Sequence, residues 1–198
     1  MNIGFRLSLA LLIATQVALT GCGTGSSEAP PLAGAKLGGP FTLTDQDGKR
    51  VSDAQFAGRY RLMYFGYTFC PDVCPVDVQK LMQGFRLLER DQPAKAAKLQ
   101  PIFITVDPAR DTPAALKQFV RSFHPRLIGL TGSDAEIAAV AREYGISYEK
   151  REGATPGTYL MDHVRSTILY GPDGKPIAIV AQDGTPEQIA AELGKWVS

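Results

Sequence analysis

The sequence predicts an α/β protein with a central mixed sheet flanked by helices and entered through an N-terminal β-hairpin. Two observations carry that prediction. Short runs of β-branched and aromatic residues alternate with stretches whose apolar positions recur at helical spacing. Helix starts also carry capping signatures, at Thr112-Pro113, at Ser133 with Glu136, and at Thr185 with Gln188. Alternation of strand and helix calls for a parallel βαβ portion with helices on both faces.

The elements follow in order. Phe41–Thr44 and Arg50-Val51 flank the turn Asp45-Gln46-Asp47-Gly48, which makes the hairpin. That turn lacks the third Asp or Asn and the closing Glu of a calcium loop. Tyr60–Tyr67 reads as a buried strand. A helix follows from about Val76 to Arg90, with Val78, Leu81, Met82, Phe85 and Leu88 on one face. Pro101–Val106 is a second buried strand, and Pro113 opens the next helix in the position where its missing N–H costs nothing. Leu127–Leu130 is a third strand, and Ser133 caps the helix after it. Thr167–Tyr170 and Ile177–Ala181 are strands joined through Gly171-Pro172-Asp173-Gly174, before a last helix that runs to Trp196.

Composition narrows the function. The chain has 198 residues, 44% hydrophobic and 21% charged, with a formal charge of +1. A near-neutral chain offers no basic face for nucleic acid. Three cysteines are too few for a disulfide scaffold. Arg6 precedes an apolar run from Leu7 to Thr20, shorter than the ~20 residues that span a bilayer, as in a secretory signal. Leu19-Thr20-Gly21-Cys22 resembles the lipobox of bacterial lipoproteins, which implies a signal peptide over 1–21 and lipid on the Cys22 thiol. The other reading is ordinary cleavage that leaves Cys22 a free thiol. Residues 22–39, rich in Gly, Ser, Ala and Pro, are expected to be a lipidated start and flexible linker before a domain over 40–198.

The domain then holds two thiols, Cys70 and Cys74, just past the end of the first buried strand, where open α/β sheets gather function. Spaced i and i+4 around a helix start, they share a face, and the helix dipole favours thiolate. Such a pair chelates a soft metal, oxidises to a disulfide, or simply packs as structural cysteines. Two sulfurs leave copper under-coordinated, and thiolates favour Cu(I). The chain offers two histidines as a third donor, His163 before a strand and His124 between a helix and a strand.

Tyr64-Phe65-Gly66-Tyr67-Thr68-Phe69-Cys70-Pro71-Asp72-Val73-Cys74-Pro75 resembles the signature of the Sco/SenC copper-protein family. So do Val106–Pro113 and Asp162-His163 followed by Tyr170–Gly174, in the family's order. The resemblance implies a thioredoxin-like fold and a copper site made by Cys70, Cys74 and His163, leaving His124 as a surface loop residue. Val164-Arg165 departs from the family pattern, in which Thr follows the histidine. The resemblance further implies an exported, membrane-tethered copper chaperone on the periplasmic side of the cell membrane. Its partners would be the copper-centre subunit of a respiratory oxidase and other periplasmic copper or thiol-redox proteins. Thiol–disulfide reduction by Cys70 and Cys74, or copper and redox sensing, are the other readings. Asp72 and Asp162 are candidate neighbours of the site or contacts for a partner. Asp107 and Asp111 read as turn and capping residues, and Arg110 as a solvated charge.

Overall fold

The computed structural model describes residues 28–198; the expected signal peptide and Cys22 lie outside them. Nine strands and five α-helices follow in chain order among the described residues. The strands are β1 (Thr42–Asp45), β2 (Arg50–Ser52), β3 (Tyr60–Gly66), β4 (Leu99–Thr105), β5 (Ile128–Thr131), β6 (Tyr148–Glu152), β7 (Tyr159–His163), β8 (Thr167–Tyr170) and β9 (Pro176–Ile179). The helices are α1 (Val73–Asp91), α2 (Pro93–Lys98), α3 (Pro113–Phe123), α4 (Asp134–Glu143) and α5 (Pro186–Trp196). Seven strands form one sheet in the order β2-β1-β5-β4-β3-β8-β9, and β6 pairs only with β7. The pairs β3–β4 and β4–β5 are parallel, whereas β8 runs antiparallel to β3. The mixed sheet expected from the sequence is therefore present.

β3 and β4 sit at the centre and are buried along all seven residues, which is why both read as mainly apolar runs, broken by Arg61 in β3 and by Gln100 and Thr105 in β4. Their side chains alternate between faces. Tyr64 stacks against Phe103 on one side, and Phe103 meets Phe119 of α3. α1 covers the same face and α5 packs on α1 so closely that a methyl on Gly84 would lie 2.5 Å from Ile189. On the other face Phe65 meets Tyr144, which ends α4 and also contacts Phe41 and Tyr170. Thr112, Ser133 and Thr185 cap α3, α4 and α5, the last two with complete capping boxes.

Three expectations need correction. α1 begins at Val73, three residues before the expected start, because Pro75 is tolerated in a first turn whose N–H groups need no intrahelical acceptor. Residues 30–39 are not a free linker. Leu32 N donates to Ile177 O and Gly38 N to Glu143 O, and Leu32 and Leu37 pack on the core. The β6–β7 hairpin was not foreseen, since Tyr-Glu-Lys-Arg-Glu has neither apolar alternation nor branched residues.

Candidate metal centre

The site is assembled by three stretches. The first is the loop between β3 and α1. It needs Gly66 at the end of β3, since a Cβ there would lie 3.2 Å from Cys74 Sγ and 3.2 Å from the Phe103 ring. Cys70 precedes α1 and Cys74 lies in its first turn, both buried and both free thiols. Cys74 N donates to Cys70 Sγ at 3.4 Å, so the sulfur takes the role of a helix cap that the Asp72 side chain leaves open. The two thiols are unequal. A hydrogen bond from Cys74 and the amides of Asp72, Val73 and Cys74 hold Cys70 below its ordinary pKa, against the opposing effect of burial. The same hydrogen bond, and then burial, push Cys74 up.

The second stretch is β7, whose last residue is His163. Its Nε2 stands 3.3 Å from Cys74 Sγ, and its Nδ1 stands 3.1 Å from the Val164 carbonyl oxygen. A carbonyl only accepts, so Nδ1 donates to Val164, and the tautomer with its one proton there leaves Nε2 an acceptor facing Cys74 Sγ. Tyr67 meets the imidazole edge-on at 6.0 Å. Cys70, His163, Tyr67, Leu160 and Arg165 line a cleft of about 400 Å³. Exposed Phe69, Leu160 and Val164 supply apolar surface beside it.

The third stretch joins the other two. Asp111, fully buried, accepts from Thr68 N at 3.0 Å, Thr68 Oγ1 at 2.6 Å and Thr105 Oγ1 at 2.6 Å. It pins the cysteine loop to the end of β4. Burial raises its pKa, and the bonds from Thr105 and Thr68 oppose the rise. Arg110 pairs with Asp107, donates to Tyr159 O at 3.0 Å, and lies over the rings of Tyr159 at 3.7 Å and Phe69 at 5.0 Å. Tyr159 in turn donates its hydroxyl to Asp107 at 2.9 Å. Beyond His163, Arg165 forms a two-pronged pair with buried Asp77 of α1 at 2.6 and 3.0 Å, and Tyr64 donates to the same carboxylate at 2.9 Å. The hairpin is thus fastened to the body at both ends of β7.

The structure therefore brings Cys74 and His163 into contact and places Cys70 at the Cys74 amide. Among the described residues no three His, Cys, Asp or Glu side chains are gathered closely enough to hold a metal ion, so the three donors are not drawn together around one point. Asp72 is exposed at the start of α1. Asp162 pairs with Arg151 and, like Asp72, lines the cleft beside Cys70 and His163. His124 is not a surface residue. It is 4% exposed, accepts from Arg126 N at Nδ1, and meets Glu89 at Nε2 at 3.0 Å. Both nitrogens are engaged, which removes it as a ligand. Arg110 is not a solvated charge, and Asp111 is an anchor rather than a cap. Sequence reading missed Asp77 and Arg165, which are 88 residues apart with no local pattern to link them.

Comparison with known proteins gives the family and the fold. The SCO1/SenC family model matches residues 29–198. The human mitochondrial SCO1 homologue is 40% identical over 79% of this chain and 52% of its own, so the chain spans about half of that relative's length. The structure of Bradyrhizobium japonicum ScoI with copper bound is 42% identical, with a TM-score of 0.73, over 81% of this chain and 99% of that one. BsSco, described with a disulfide switch and as a member of the Sco family of cytochrome c oxidase assembly proteins, is 27% identical, with a TM-score of 0.61, over 80% of this chain and 92% of that one. The thioredoxin domain of a Bacteroides vulgatus thiol-disulfide oxidoreductase, 17% identical with a TM-score of 0.56 over 82% of this chain and 96% of that one, shares the fold alone, which is thioredoxin-like. Signature, fold and matched length converge: the chain belongs to the SCO1/SenC family.

Proposed function

We propose that this protein carries copper for the assembly of the dinuclear copper centre of cytochrome c oxidase, held by Cys70, Cys74 and His163. The observation that carries the reading is the 3.3 Å approach of His163 Nε2 to Cys74 Sγ. Two sulfurs and one imidazole nitrogen suit a soft ion, and the thiolate character of Cys70 supplies the charge that Cu(I) needs. Copper is the cargo. The solvent-facing cleft lets an acceptor's ligands replace these three in turn, and the exposed Phe69, Leu160 and Val164 offer a surface an acceptor would cover. A lipid on the lipobox-like Cys22 would tether the domain to the outer face of the cell membrane, where confinement raises its effective concentration near the acceptor. Asp72, exposed beside the cysteines, and Asp162 on the hairpin are offered as partner contacts.

A second reading rests on the inequality of the thiols. A Cys70 favoured as thiolate attacks a disulfide, and buried Cys74 resolves the mixed disulfide, which makes the pair a reductant for the acceptor's cysteines. Metal analysis with absorption spectra separates the readings. Wild type is expected to retain copper, and Cys70→Ser, Cys74→Ser and His163→Ala to lose it, with His163→Ala keeping dithiol exchange. Full copper retention by His163→Ala would remove the imidazole from the ligand set.

A further inference from the structure

Arg61 lies at the end of β3 opposite the cysteine loop, in the second position of the strand, and is 5% exposed. Its Nε has no hydrogen-bond partner among the described residues, and neither has the hydroxyl of Tyr170, over whose ring the guanidinium lies at 5.7 Å. No carboxylate among the described residues pairs with it. Residues 1–27 contain no Asp or Glu, so that stretch has none to give. A guanidinium cannot shed its charge, and a buried unpaired charge is costly. The arrangement therefore calls for an anion from outside.

A cavity of about 350 Å³ adjoins it, lined by Lys36, Asp53, Arg61, Asp173 and Lys175 together with the backbone of residues 37–40. Asp173 is engaged through both oxygens and Asp53 through one. Asp53 accepts from Phe41 N at 3.2 Å, and Asp173 accepts from Lys175 N and pairs with its ammonium, each at 3.1 Å. Gly174, at φ 82°, approaches so closely that a Cβ there would lie 2.9 Å from Arg61 Nη2. Among the described residues lining this cavity, Arg61 is thus the buried charge without a counter-ion, and the space it borders is much larger than one water.

We propose that this cavity binds a phosphate-class oxyanion, with Arg61 as its buried ligand and Lys36 and Lys175 as its exposed rim. A guanidinium fork matches a phosphate through two parallel bonds. Inorganic phosphate and the headgroup of an anionic phospholipid share that chemistry. The site is independent of the copper reading, because it sits at the far end of the sheet.

The test uses the full chain, thermal unfolding with increasing inorganic phosphate, and co-sedimentation with phosphatidylglycerol or phosphatidylcholine vesicles. Phosphate is expected to raise the wild-type midpoint saturably. Arg61→Leu is expected to be more stable than wild type without phosphate and insensitive to it. The surface variant Lys36→Glu/Lys175→Glu, whose fold is not at risk, is expected to weaken the response about tenfold or more. Sedimentation with phosphatidylglycerol alone, lost in Arg61→Leu, assigns a headgroup; a phosphate response without sedimentation assigns a soluble phosphate. A wild-type midpoint that neither ligand moves overturns the proposal. So does Asp53→Asn destabilising the phosphate-free protein as much as sodium chloride does, since Arg61 would then be neutralised by Asp53 through water.

Discussion

Asp111, itself buried, takes hydrogen bonds from the backbone of one loop residue and from two threonine hydroxyls, that of Thr105 buried and that of Thr68 partly so. Removing the carboxylate leaves those donors unmatched, so Asp111→Ala is expected to cost about 3 kcal/mol in urea unfolding. An unchanged midpoint would show that water replaces it. The sequence showed this aspartate only as the residue before a capped helix, because its partners Thr68 and Thr105 belong to two other segments. Cys70, Cys74 and His163 were legible through their motifs. The burial of His124 was not, since Phe-His-Pro at a helix end gives no sign of the Glu89 and Phe85 that enclose it.

At the level of elements, the β6–β7 hairpin matters most, because it delivers His163 while pairing with no strand of the main sheet. Its attachments are the Arg110 cluster at Tyr159 and the Arg165–Asp77 pair just past His163. Arg110→Ala and Arg165→Ala are expected to speed amide exchange at Tyr148–Glu152 and Tyr159–His163 by about tenfold while leaving β3 and β4 protected. Arg165→Lys, which keeps the charge but loses the fork, restores only part of that protection. Uniform exchange rates across the variants would contradict the clamp. The start of α4 gives a pH dependence. Arg50, and then the Ser133 amide, lower Glu136 to about 2 in the folded protein, below its ordinary 4.5. The stabilisation is therefore complete above pH 4.5 and lost as the pH falls through 2. With the side chain a third exposed, it is worth about 1 kcal/mol or less. Glu136→Gln is expected to flatten stability between those limits, and an unaltered acid slope would contradict it. Capping residues were legible because the interaction is local. The hairpin was not, because β6 is polar apart from Tyr148, and Tyr148 and Met161 alone dock it on the core while Arg110 and Arg165 clamp its ends.

For the whole molecule, the topology explains why three separated sequence blocks serve one place. β3 and β4 run parallel, so the loops that leave their carboxyl ends, with Cys70 on one and Asp111 on the other, emerge side by side. β7 then lays the imidazole across them. The order of strands and helices could be read from alternation alone, and the end-to-end meeting of the loops follows from parallel pairing. The folded start at residues 30–39 could not be read, since Pro, Gly and Ala there give no periodicity and dock through backbone bonds. The claim on which the rest depends is a single ion shared by two sulfurs and one ring nitrogen. X-ray absorption at the copper edge of the loaded protein tests it most directly: two sulfur scatterers and one imidazole are predicted, with the imidazole signal gone in His163→Ala. A sulfur-only shell in the wild-type protein, or a spectrum that His163→Ala leaves unchanged, would contradict it.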